Sequence, residues 1–208
     1  MTKIGLFPLN LILFPGSQLP LHIFESRYKR LIADVMTDDT VFGMNNIDSL
    51  HINPVGCTAR VERVLRRYAD GRLDIVVRGE QRYRISATYE DRKSYLTAEV
   101  EFFDDVDEDI DLELRNATIE MFNAMVKIVY ASGVEPIDLA APADAIVSFH
   151  VGEKAGLAKD KKQELLEMRS ENERLKFLHD FISSYLPELR HKKRITEIVR
   201  NDGYLPRR

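Results

Sequence analysis

The sequence predicts an α+β protein whose β-rich first half gives way to a helical second half. Apolar residues recur mostly with period two before residue 105, and with spacings of three and four after it. Asp70-Gly71, a dipeptide that tolerates positive φ, joins two long β-rich runs. Ser170-Glu171-Asn172-Glu173 has the spacing of a helix capping box. The change of period places a β-rich subdomain over 1–105 and a helical subdomain over 106–208.

In chain order, Ile4–Phe14 reads as a first strand ended by the turn dipeptide Pro15-Gly16. A short helix is expected over about Glu25–Met36, with Phe24, Tyr28, Leu31, Ile32 and Val35 on one face. Val41–Met44 reads as a strand. Val55–Tyr68 and the run from Leu73 form the hairpin around Asp70-Gly71, with Gly79 breaking the return strand as a bulge. Leu96, Ala98, Val100 and Phe102 alternate with polar residues in a further strand. Several short strands separated by turn signals suggest a small barrel or sandwich.

Asp104–Asp111 is expected to be a linker ending in a helix start, where carboxylates favour the positive end of the helix dipole. A helix over about Leu112–Ala131 should bury Leu114, Ala117, Met121, Met125 and Ile128, and end at Ser132-Gly133. A second should begin near Pro142 and include Ile146, Phe149 and His150, and a third should span Lys161–Met168. The capping box opens a fourth with Leu175, Leu178, Ile182 and Leu186. Pro187 should interrupt it before a last helix over Glu188–Asn201.

The formal net charge of −4 does not call for a nucleic-acid partner. Eight arginines lie between Arg60 and Arg84, interleaved with Glu62, Asp70, Asp74 and Glu80. Nine acidic residues and no basic ones lie between Glu99 and Glu113, without the glycine and terminal glutamate of an EF-hand loop. The N-terminus lacks a signal peptide's basic start and cleavage site, and no apolar run approaches the roughly 20 residues a membrane helix needs. With one cysteine, Cys57, and hence no internal disulfide, the expected setting is cytoplasmic.

The motifs of catalysis are missing. There is no phosphate loop ending in Gly-Lys-Ser/Thr, no Rossmann fingerprint, and no Gly-x-Ser-x-Gly elbow. His22, His51, His150, His179 and His191 include no i, i+4 pair, so neither a metal nor a cofactor is expected. Cys57 reads as a small buried hydrophobe, and Ser-Lys chemistry is left open by spacing alone.

One resemblance runs nearly the whole length of the chain. Phe7-Pro8-Leu9-Asn10-Leu11-Ile12-Leu13-Phe14-Pro15-Gly16 is followed by Leu19-Pro20-Leu21-His22-Ile23-Phe24-Glu25 and Arg27-Tyr28. Val55–Ala59, Asp70–Leu73, Val77–Ile85, Lys162–Glu167 and Glu173–Leu175 come next in order. This series resembles the N-terminal substrate-binding domain of Lon-type ATP-dependent proteases. The resemblance implies a PUA-like pseudo-barrel followed by a helical bundle, in a stand-alone form without ATPase or protease. It implies a non-catalytic module that binds unfolded or specific client proteins, with a protease or chaperone machine as a further partner and no membrane.

Such binding needs exposed apolar surface or an open sheet edge. The candidate peptide-binding residues are Leu19, Leu21, His22, Phe24, Glu25 and Tyr28. Two alternatives are an RNA-binding PUA-like domain using the arginines, and a small-molecule sensor with a pocket near His22 or Tyr83.

Overall fold

A computed structural model describes residues 2–48, 51–90, 93–130, 133–140, 142 and 146–200, the last four without their side chains. The chain forms two compact units. The first comprises Met1–Val106 and Leu157–Arg169; the second comprises Asp107–Gly156 and Ser170–Arg208.

The first unit is built on an antiparallel sheet of six strands: β1 (Thr2–Gly5), β2 (Gln18–Ile23), β3 (Phe42–Asp48), β4 (His51–Arg67), β5 (Leu73–Tyr89) and β6 (Thr97–Phe102). Their order is β1-β6-β5-β4-β3, with β2 also on β5. The long β5 is the spine: Leu73–Arg78 pairs with β2, and Tyr83–Tyr89 pairs with β6. Gly79 marks the exchange. Its carbonyl accepts from Gly16 N, its own N–H donates to Ser17, and a Cβ there would lie 2.2 Å from the Phe14 carbonyl oxygen. The β4–β5 register shifts at the same place, which is the bulge expected there. Gly71 takes φ +81 in the hairpin turn.

The expected first strand is instead divided. After β1 the chain leaves its strand and touches β3 through two isolated parallel bridges, Leu6–Gly43 and Leu9–Asn46. These bring the two ends of the sheet together without closing it as a full barrel. Pro8 lies between them and has no N–H with which to continue a ladder. Helix α1 (Ser26–Thr37) buries Tyr28, Leu31, Ile32 and Val35 against Ile23, Phe42, Leu73, Ile75 and Val77. Phe24, expected on that face, precedes the helix and is 60% exposed.

The helices of the second unit are α2 (Leu112–Val129), α3 (Ser148–Lys154) and α5 (Glu171–Arg200). Asp111 caps α2, accepting from Leu114 N at 2.9 Å. The period expected for α2 holds, but its phase does not. Thr118, Ile119, Phe122, Met125 and Val126 are buried, with Arg115 among them, whereas Leu114, Ala117, Met121 and Ile128 flank the stripe. The buried arginine hides this face from an apolar count. α2 ends at Val129, short of Ser132, which lies outside the described residues; Gly133 has φ +91. α3 starts at Ser148, so Pro142 and Ile146 precede it. α5 runs through Pro187 where a break was expected. Pro187 is exposed, so the carbonyl it deprives of a donor can be hydrated. The expected end at Asn201 lies outside the described residues.

Helix α4 (Lys159–Glu167) belongs to the first unit. Buried Arg82 donates to the carbonyls of Leu166 (3.1 Å) and Met168 and pairs with Asp105, while Gln163 donates to the Val55 carbonyl at 3.2 Å. The change of period at residue 105 gives no sign of this return. No described helix is long and apolar enough to cross a membrane.

Candidate functional site

The first unit contains a groove of about 580 Å³. The bridged segment after β1 supplies Leu6, Pro8 and Leu9. The end of β3 and start of β4 supply Ile47 and Ile52, and the approach to β6 supplies Tyr95 and Leu96. Glu25, Arg27 and Tyr28 form the wall at the start of α1, and Glu90 and Lys93 stand at the rim. The groove thus has an apolar floor, and its rim charges balance in sign.

Both tyrosine walls carry a cation. The Arg27 guanidinium lies 4.7 Å from the Tyr28 ring centre and pairs with Glu25 at 2.7 Å. Lys93 Nζ lies 5.2 Å from the Tyr95 ring centre and donates to the Tyr95 hydroxyl at 2.8 Å. That hydroxyl donates to Asp34 at 2.7 Å. Burial pushes the Tyr28 phenol up, so it stays neutral. The hydrogen bond with Tyr95, and then Asp34, holds Lys93 above its ordinary pKa and therefore charged. Lys93 and Ser94 both line the groove, but the ammonium is bonded to Tyr95 and Asp34 and cannot serve as a base.

The six candidate residues from the sequence separate. Glu25 and Tyr28 line the groove. Leu19 and Leu21 pack partly buried against the core. His22 and Phe24 face solvent elsewhere: His22 Nδ1 lies 2.6 Å from Asp74, and its ring stacks on Phe24 with centroids 6.0 Å apart. Leu6, Leu9, Ile47, Ile52, Lys93 and Tyr95 were missed. They come from three distant stretches, and only the strand pairings bring them together.

The other candidate chemistry resolves structurally. Cys57 is buried and its thiol is pushed up to about 12 by desolvation, which leaves it inert as a nucleophile. Tyr83 is buried in the core, donating to Asn45 Oδ1, and a Cβ on Gly43 would lie 2.2 Å from its hydroxyl. Among the arginines, Arg60 pairs with Glu80 and Asp39, Arg72 with Asp70, Arg78 with Glu62, and Arg82 with Asp105. No cluster of His, Cys, Asp or Glu suited to a metal occurs among the described residues.

Comparison with known proteins gives a consistent result. The family described as the ATP-dependent protease La (LON) substrate-binding domain matches residues 3–184. Lon protease 2 of Syntrophobacter fumaroxidans is 25% identical over 213 residues, covering 96% of this chain and 26% of that protein. Lon protease of Escherichia coli K12 is 25% identical over 214 residues, covering 95% and 27%. The chain therefore spans about a quarter of these relatives' length. Among solved structures, a Lon N-terminal domain protein from Xanthomonas campestris superposes with a TM-score of 0.68 at 24% identity, covering 86% of this chain and 97% of that one. The N-terminal domain of Mycobacterium avium complex Lon protease gives 0.63 at 20% identity, covering 88% and 98%.

Proposed function

The chain belongs to the LON substrate-binding domain family, and from that premise we propose that it is a non-catalytic receptor for extended apolar segments of client proteins. The observation that carries this reading is the groove. An apolar floor framed by Tyr28 and Tyr95 can take up side chains that folded proteins keep inside, and the balanced rim imposes no demand on the client's charge. The family match covers a substrate-binding domain and no ATPase or protease. The role read here is that of residues 3–184 alone, which capture the client and leave its cleavage to other machinery, and the setting is read as cytoplasmic.

An RNA-binding reading is less well supported, because four of the arginines that suggested it are already neutralised. The paired state of Lys93 and the filled surroundings of Tyr83 likewise count against an enzyme or a sensor.

The test is fluorescence anisotropy with a labelled, permanently unfolded polypeptide. Wild type should bind in the micromolar range. Ile52→Asp, which puts a carboxylate on the groove floor, should weaken binding by about tenfold or more while the circular dichroism spectrum is unchanged. Wild type failing to bind several unfolded clients, or Ile52→Asp binding as wild type does, would end the proposal.

A further inference from the structure

The neutralised arginines lie beside others that are not. Among the described residues, Arg63, Arg66 and Arg67, at the end of β4, have no carboxylate within salt-bridge distance, although Arg60, Arg72, Arg78 and Arg82 each have at least one. All three are exposed. Asp74 lies opposite Arg66 across the sheet and acts on it electrostatically without a direct ion pair, its oxygens being hydrogen-bonded to His22 and the Tyr68 hydroxyl.

The backbone accounts for this concentration of charge. The β4–β5 register shifts between Val61 and Arg63 and again between Val64 and Arg66. Each shift places an extra residue on β4, Glu62 at the first and Leu65 at the second. The bulges break the alternation of the strand, so Glu62, Arg63, Leu65, Arg66 and Arg67 all face solvent. Leu65 is 59% exposed, an apolar side chain set among three cations. The pairing of β3 with β4 ends at Phe42–Ala59, and no described strand covers the outer edge of β4 beyond it.

We propose that the bulged end of β4 (Arg63, Leu65, Arg66 and Arg67) is a docking surface for an acidic segment of a partner protein that carries an apolar residue among its carboxylates. Charge complementarity defines the occupant: three arginines in five residues without a salt bridge among the described residues, on a chain whose net charge is −4. Leu65 supplies the apolar contact that a purely electrostatic site would lack. Two bulges in close succession spoil the regular ladder that strand addition requires, so recognition runs through side chains. A single-stranded nucleic acid fits less well. The Tyr68 ring has the guanidiniums of Arg66 and Arg72 at 4.6 and 4.9 Å from its centre, which leaves it poorly placed to stack on a base. The surface shares no residue with the groove, and the inference does not rest on the client-binding reading.

The probe is a labelled decapeptide of Asp and Glu with one central Leu, followed by anisotropy. Wild type should bind it, and binding should weaken about tenfold or more from low to moderate salt. The double variant Arg63→Glu/Arg67→Glu should lose binding at an unchanged melting temperature, and Leu65→Ala should weaken it about threefold or more. The same peptide with methylated backbone nitrogens should bind within about twofold of the parent, since no ladder forms. An affinity insensitive to the charge reversal would overturn the proposal. So would a loss of binding on backbone methylation, or displacement of the peptide by an equally charged oligouridylate at equal or lower concentration.

Discussion

Asp34, half-buried on α1, orients a wall of the groove. The Tyr95 hydroxyl donates to it at 2.7 Å, and Arg30 and Lys93 flank it at 2.9 and 3.4 Å. The Tyr95 hydrogen bond first, then the two cations, hold the Asp34 carboxyl below its ordinary pKa. A carboxylate depressed in the folded state stabilises fully above the unfolded value, and that contribution disappears as pH falls through the folded value. Asp34→Asn should therefore cost about 1–2 kcal/mol at neutral pH. The melting curves of variant and wild type should converge as pH drops below the ordinary carboxylate range. A gap independent of pH would mean that the charge on Asp34 contributes nothing. The sequence marked Glu25 and Tyr28 because they sit in a continuous family-like stretch. It could not mark Asp34 or Lys93, because Asp34 meets Lys93 and Tyr95 across some sixty positions of chain.

At the scale of elements, α3 is capped by another helix. Its first residues lack a side-chain cap of their own. The Glu171 carboxylate, on α5, accepts from Val147 N at 3.0 Å, Ser148 N at 3.1 Å and Ser148 Oγ at 2.5 Å, and from Arg174 Nη2 at 2.7 Å. All three side chains are buried, and the Arg174 guanidinium lies 4.4 Å from the Phe149 ring centre. A buried carboxylate at a helix N-terminus is held both by the amides and by the dipole. Glu171→Gln would leave the Arg174 charge buried without its partner and should lower stability by about 3–5 kcal/mol. Ser148→Ala, which removes one donor and one acceptor, should cost about 1–3 kcal/mol. Urea titration checks both, and a smaller loss for Glu171→Gln than for Ser148→Ala would show that the ion pair is not what holds α3. The capping box was legible as a helix start, and Ser170 Oγ does accept from Glu173 N at 3.0 Å. That the residue between them serves a different helix was not legible, because the motif describes only its own backbone. The hairpin and α1 were readable for the converse reason: Asp70-Gly71 and the spacing of Tyr28, Leu31, Ile32 and Val35 are local signals with local consequences. The return of α4 to the sheet depends on buried Arg82, a residue type that composition places outside.

For the molecule as a whole, two surfaces of different electrostatic character lie on the first unit. The groove sets Glu25 and Glu90 against Arg27 and Lys93 over an apolar floor. The end of β4 sets three cations around one leucine, none of them in a salt bridge among the described residues. Burial of apolar area is nearly indifferent to moderate salt, whereas exposed charge pairs are screened within about 8–10 Å. Unfolded-client binding should therefore change by less than about twofold over the same salt range that removes most acidic-peptide binding. The two occupancies should also be uncoupled, since coupling between sites is reciprocal and requires an element with two states that both ligands bias. Saturating acidic peptide should leave client affinity within about twofold. Arg63→Glu/Arg67→Glu should bind client as wild type does, and Ile52→Asp should bind acidic peptide as wild type does. Competition between the two ligands in a single titration would show instead that one continuous surface takes both, with the arginines acting as an extension of the groove.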